Sequence, residues 1–235
     1  MQLSVRDAAH LLHVSENTVY RWVQKGDLPH HRVNEQYRFN RVELLQWATE
    51  NGLKVATNIF QEPENGNGAS LKLSEALLNG GIFYRLSGND KKSVLEAVVE
   101  TMPLPHEVDR EFLLHVMLAR EELGSTGIGD GIAIPHARNP IVLHVKKPSV
   151  SLCFLEQPID FQALDGKPVS VLFTLLSPSV RAHLNLLAKL SYALRDEKLL
   201  ALLQAPGSRE EILAEIRRIE DALPQTAHVE GAVSE

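Results

Sequence analysis

Between residues 61 and 70 the chain reads Gln-Glu-Pro-Glu-Asn-Gly-Asn-Gly-Ala-Ser, without apolar periodicity. A segment of this kind has no face to offer a core, and its Pro, Gly and Asn content marks a linker. The 235 residues are therefore expected to fold around two cores rather than one. We expect a small domain at 1–55, a linker at 56–70 and a larger domain at 71–221. Periodicity is lost again at 222–235, which reads as a loose tail.

Charge follows the same division. Residues 1–55 carry seven Lys or Arg against six Asp or Glu, a net +1 within a chain of net −6, which leaves −7 for the remainder. The two parts are expected to meet different partners. With 44% apolar and 23% charged residues, the composition excludes wholesale disorder. No run of 18 apolar residues is present, so no membrane span is expected. The first residues, Met1-Gln2-Leu3-Ser4-Val5-Arg6-Asp7, lack the basic and apolar regions of a secretory signal. Cys153 has no second cysteine to pair with, which fits a reducing cytoplasm.

In the small domain, Ser4 with Asp7 forms a capping box ahead of Val5, Ala8, Ala9 and Leu12 at helical spacing. His13-Val14 leaves room only for a turn. Ser15 then caps a second helix that points Val19, Trp22 and Val23 inward and stops at Gly26. Two short helices joined so tightly make a helix-turn-helix. The outer face of the second helix carries Asn17, Thr18, Tyr20 and Arg21, types that bond base edges and phosphates. Two β-prone runs around Asn34-Glu35-Gln36 predict a hairpin, or wing, holding Arg32 and Arg38. Asn40 with Glu43 is a second capping box, opening a helix with Val42, Leu44, Leu45 and Trp47.

From Ser4-Val5 through Thr18-Val19-Tyr20-Arg21-Trp22 to Gly26-Asp27-Leu28-Pro29, the segment resembles the excisionase/MerR-like winged helix-turn-helix family. The resemblance implies a DNA partner. The same arginines also suit the solvated face of a three-helix packing module. Because non-specific affinity scales with the phosphates neutralised, one such domain should bind weakly and a homodimer better. His10, His13 and His30-His31 lack the carboxylates or cysteines of a metal set, so no metal is assigned.

The larger domain alternates helices and strands. Ile82–Arg85, Val150–Leu155 and Val169–Leu176 read as strands, the last almost wholly apolar, as a central strand should be. Asn89 or Asp90 caps a helix holding Val94, Leu95, Val98 and Val99. Another, about Asp109 to Leu123, carries Phe112, Leu113, Val116 and Leu118. Ser179 starts a leucine-rich helix, and two amphipathic helices follow around 196–204 and 209–219. The expected class is α/β (α+β layered): a mixed sheet flanked by helices, preceded by the small winged helix-turn-helix.

Chemistry concentrates at Arg120-Glu121-Glu122-Leu123-Gly124-Ser125-Thr126-Gly127-Ile128-Gly129, followed by Gly131-Ile132-Ala133-Ile134-Pro135-His136-Ala137-Arg138. Glycine-rich turns expose backbone amides, and His136 follows an apolar run beside two arginines. These residue types suit an anion site, although a lone loop histidine is more often structural or merely exposed. The stretch resembles the active-site signature of the type-2 IIA domains of the bacterial phosphoenolpyruvate-dependent sugar phosphotransferase system, the fructose, mannitol and nitrogen-regulatory group. The similarity runs from about Leu71 to Ile219 and includes Asp165-Gly166-Lys167-Pro168-Val169 and His183-Leu184.

The resemblance implies that His136 is the phosphorylated histidine, His183 the second active-site histidine and Arg120 the phosphate-facing arginine. Transfer to a histidine passes through a loose transition state, so the protein mainly positions groups and neutralises charge. Ser125 and Thr126 hydroxyls, the glycine-loop amides and Arg138 are expected to help hold the phosphoryl group. His136 itself is expected in an exposed loop. This chemistry requires neither metal nor cofactor, and no Gly-x-x-x-x-Gly-Lys-Ser/Thr loop is present.

Together the halves imply a cytoplasmic, phosphorylation-responsive transcriptional regulator, phosphorylated by an HPr-like carrier. The other reading is a phosphocarrier that passes the group to a IIB sugar-transport component, its first domain used for protein contacts.

Overall fold

The computed structural model describes residues 2–33, 36–40, 44, 47–48, 71–137 and 145–223. The expected linker, Glu43, the tail beyond Leu223 and Arg138 lie outside the described residues.

The N-terminal unit begins with β1 (Gln2–Leu3) and α1 (Val5–Leu11). Ser4 and Asp7 form the expected capping box, each side chain satisfying the other's backbone amide. His13 sits in the turn with φ 51°, and Ser15 caps α2 (Glu16–Lys25). Gly26 ends α2 at φ 77°, a left-handed conformation glycine adopts without a Cβ clash. The wing is β2 (His31–Val33) antiparallel to β3 (Gln36–Asn40), with Arg32 opposite Tyr37. Sequence reasoning missed β1, a two-residue strand that pairs with the other side of β3. Val5, Ala8, Leu12, Val19, Val23, Leu28, Phe39, Leu44 and Ala48 form the core of this unit.

The larger unit contains α3 (Leu73–Gly80), β4 (Ile82–Leu86), α4 (Lys91–Thr101) and α5 (Arg110–Glu122). Then come β5 (Gly127–Gly129), β6 (Ile132–Ala133), β7 (Ser149–Ile159) and β8 (Val169–Leu176). Helices α6 (Val180–Ala193), α7 (Glu197–Gln204) and α8 (Arg209–Asp221) complete it. The five strands order as β4-β7-β8-β6-β5. The sheet is mixed: β4 and β7 are parallel, as are β6 and β8, while β7–β8 and β5–β6 are antiparallel.

Alternation along the strands explains the layers. Val150, Leu152 and Phe154 of β7, with Val171, Phe173 and Leu175 of β8, face α3, α6, α7 and α8. Cys153 and Leu172, together with Leu176, face α4 and α5 on the other side. The Cys153 thiol is buried there, and loss of hydration pushes its pKa up to about 12, so it is an inert apolar group.

Two features of the packing lay beyond the sequence. Of the apolar residues of α5, Leu113 is buried and Val116 and Leu118 pack against the same core, but Phe112 is 44% exposed. The buried positions are completed by Met117, Arg120 and Glu121, since spacing of four and three from Leu113 reaches Met117 and Arg120. Helix α3 was also not resolved by sequence. Its N-cap, Lys72, supplies no side-chain bond. The free amides of Leu73 and Ser74 instead donate to the carboxylate of Glu220 in α8.

Candidate functional site

The glycine-rich turn is shaped by close contacts. A Cβ on Gly127 would sit 2.7 Å from that of Ala163, so only glycine fits there. At Gly129, φ is 104° and the neighbouring Asp165 carboxylate is near. Asp165 accepts from the amides of Asp130 (2.9 Å) and Lys167 (3.1 Å), which hold its carboxyl below the usual range. The Asp165–Lys167 segment thus pins the turn.

The turn feeds β6, and beyond β6 the backbone of His136 makes one parallel bridge to Leu175 at the end of β8. His136 Nδ1 lies 2.7 Å from the carbonyl oxygen of Ile134. A carbonyl can only accept, so Nδ1 carries the proton and donates. In the neutral ring Nε2 then holds a free lone pair. That nitrogen is buried and has no hydrogen-bond partner among the described residues.

His183 occupies the first turns of α6, which Ser179 caps. The two imidazole centroids are 5.1 Å apart with planes at 44°. His183 Nδ1 is likewise buried without a partner among the described residues. Burial pushes His136 down to about 4, with the Arg120 charge lowering it further and the Ile134 bond and Glu121 opposing. Burial, then His136, pushes His183 down to about 3. Both rings are neutral at pH 7.

His136 and His183 are each only 4% exposed, which corrects the expectation of an exposed loop. The bridge to β8 and the packing of α6 enclose His136. The expected hydroxyl donors are also redirected. Ser125 Oγ donates to the Phe161 carbonyl and accepts from Gly127 N. Thr126 Oγ1 donates to Glu121 at 2.7 Å. The amides of Thr126, Gly127 and Asp130 are committed to Glu121, Ser125 and Asp165, so they form no open anion nest. Arg120 is buried at the end of α5, its Nη1 donating to Gly124 O at 2.9 Å.

Sequence reasoning missed Glu121 and Lys91. The Glu121 side chain is 5% exposed, accepts from Thr126 and pairs with Lys91 Nζ at 3.2 Å. Its signal was present: a carboxylate in the last turn of a helix opposes the helix dipole and needs a partner beyond its own helix.

On the small unit, Asn17, Tyr20, Arg21 and Arg32 are exposed, while Thr18 and Arg38 are half-buried. Thr18 Oγ1 is 3.0 Å from Ser15 Oγ at the cap of α2. Arg38 Nη2 donates to Gln36 at 2.7 Å. Tyr37 in the wing meets Tyr20 edge-on, bringing α2 and the wing to one face.

Residues 76–219 match the family described as phosphoenolpyruvate-dependent sugar phosphotransferase system, EIIA 2. The chain belongs to this family. Residues 3–52 match a helix-turn-helix domain, so the IIA domain is joined to an N-terminal helix-turn-helix. The chain is similar to the nitrogen regulatory protein of Pseudomonas aeruginosa, 39% identical over 52% of this chain and 79% of that protein. It is 34% identical to the Escherichia coli K12 nitrogen regulatory protein over 62% of this chain and 90% of the relative. Among solved structures, nitrogen regulatory protein IIA-Ntr from Neisseria meningitidis aligns with TM-score 0.50 and 32% identity. That alignment covers 61% of this chain and 94% of the other. Among the described residues no helix is long and apolar enough to cross a membrane.

Proposed function

We propose that the IIA domain of this chain accepts a phosphoryl group on His136 Nε2 from a phosphohistidine of an HPr-like carrier protein, and that the helix-turn-helix makes it a phosphorylation-responsive DNA-binding regulator in the cytoplasm. The observation that carries this is the His136 ring itself. It is neutral, its Nδ1 proton is held by Ile134 O, and its Nε2 lone pair is free.

In the transfer, the Nε2 lone pair forms the new P–N bond as the carrier's own P–N bond breaks. The electron pair of the broken bond returns to the carrier's imidazole. The proton on Nδ1 stays in its bond to Ile134, which fixes the ring along the line of attack. Arg120 neutralises charge on the phosphoryl oxygens, and His183 donates an N–H to one of them. Helix α6, which carries His183 in its first turns, adds a favourable dipole for the anion. Glu121 acts at one remove by holding Thr126 and the turn in register. The bonds made by Ser125 and Thr126 favour a structural role for both hydroxyls in the unphosphorylated state.

On the other unit, Asn17, Tyr20, Arg21 and Arg32 would face DNA, with Thr18 and Arg38 shaping the helix start and the wing. The test is to incubate the full chain with phosphoenolpyruvate, enzyme I and HPr, then measure DNA affinity with and without the label. Label on the protein with a changed DNA affinity supports the proposal. Label without any change would leave a phosphocarrier whose first domain serves protein contacts.

A further inference from the structure

Helix α6 has two buried stripes. Successive residues turn by about 100°, so Val180, Leu184 and Ala188 share one side and Leu186, Leu187, Leu190 and Ala193 the other. The second stripe packs on the sheet. Leu184, Ala188 and the half-buried Val180 instead belong to the core of the helix-turn-helix, with Val19, Phe39 and Leu44. The N-terminal unit is thus seated on the helix that carries His183. On the helical wheel His183 falls within the sheet-facing stripe, between Leu187 and Leu190, and about 60° from Val180.

The DNA-facing candidates Asn17, Tyr20, Arg21 and Arg32 stay exposed while the unit is seated. Docking therefore leaves that face open and fixes the unit against the IIA domain. The histidine pair, by contrast, is covered: His136 and His183 are each only 4% exposed. A phosphoryl group brings nearly two negative charges as well as volume. A shift of the first turns of α6 would admit it, and the helix-turn-helix packs on those same turns through Val180 and Leu184.

We infer that seating of the helix-turn-helix on α6 and phosphorylation of His136 are linked, each opposing the other. The inference rests on the phosphoryl-acceptor reading of His136. The coupling is reciprocal: whatever factor the seated unit subtracts from phosphorylation, phosphorylation subtracts from seating. The phosphoryl signal would then free the helix-turn-helix to take a new position relative to the IIA domain, without unmasking its DNA face.

Ala188→Glu tests this, since it places a charge in the apolar contact five residues beyond His183. Small-angle X-ray scattering of the full chain reads the seating, and the phosphoryl distribution at equilibrium with phosphorylated HPr reads the phosphorylation free energy. The variant should have a larger radius of gyration and an equilibrium constant for phosphoryl transfer from HPr at least about fivefold larger than wild type, the lower end of ordinary coupling. Phosphorylated wild type should expand in the same way, a measurement that needs no variant to fold. An expanded variant with the wild-type equilibrium constant overturns the linkage, as does phosphorylated wild type that stays compact. A folded Ala188→Glu that remains compact shows that seating does not depend on this stripe, and also overturns it. Absence of label on both proteins would instead remove the phosphoryl-acceptor reading, and the linkage with it.

Discussion

Acid should destabilise this protein through its two buried imidazoles, by an amount the site itself sets. Free histidine titrates near 6.5, whereas His136 is held at about 4 and His183 at about 3, in both cases chiefly by burial. In the unfolded chain both rings gain a proton as pH falls below about 6.5; in the folded chain they stay neutral until far lower. The unfolded state therefore binds more protons across this window, and stability falls with pH. The contribution is complete above about 6.5 and is lost as pH drops towards 4 for His136 and 3 for His183. Each ring should contribute a slope of about 1.4 kcal/mol per pH unit inside the window. Between pH 6.5 and 5, wild type should lose about 2 kcal/mol more than His136→Gln, and His183→Gln should show a similar difference. Urea unfolding of the three proteins at both pH values measures this, because other titrating groups cancel in the comparison. A wild-type-minus-variant difference independent of pH would refute the buried, neutral pair.

Three further outcomes follow from named contacts. His183→Ala should still accept phosphate on His136 but transfer it about ten- to a hundredfold more slowly, since a hydrogen bond to a charged group is worth roughly 1.5–3 kcal/mol. His183→Gln should recover part of that rate in single-turnover assays, whereas a packing role predicts lower melting temperatures with normal transfer. Glu121→Ala should cost roughly 2–4 kcal/mol in denaturant unfolding, because the Thr126 amide and hydroxyl and Lys91 lose a buried carboxylate. Arg21→Ala or Arg32→Ala should weaken DNA binding and reduce the salt slope by about one unit for each lost phosphate contact. Unchanged binding to every duplex tried would make the first unit a protein-contact module.

What the sequence made legible was mostly local. Ser4, Ser15, Asp90 and Ser179 each cap the helix that follows, and a cap needs only a few neighbouring residues. The β8 strand was legible for a similar reason, as eight nearly all-apolar residues have few other homes. Helix α3 was not, because its cap arrives from Glu220, 146 residues away from Ser74. The burial of His136 was hidden too. Glycines and a proline suggest an exposed loop, but the bridge to Leu175 and the packing of α6 are set by tertiary structure. The residue types of the turn pointed to an anion site, yet only the geometry reveals how its donors are used. Ser125 and Thr126 look free in sequence and are committed in the fold. The contact of Leu184 and Ala188 with the helix-turn-helix had no local signal, since any leucine-rich helix could bury those positions in its own domain.

The central claim is that the Nε2 nitrogen of His136 accepts the phosphoryl group. Label the full chain from phosphoenolpyruvate through enzyme I and HPr, and identify the phosphorylated atom by phosphorus NMR, with peptide mapping to locate the residue. The account predicts one acid-labile phosphate on His136, attached at Nε2, and none on a folded His136→Gln. Full labelling of that variant, attachment at Nδ1, or a wild type that takes no label would contradict it.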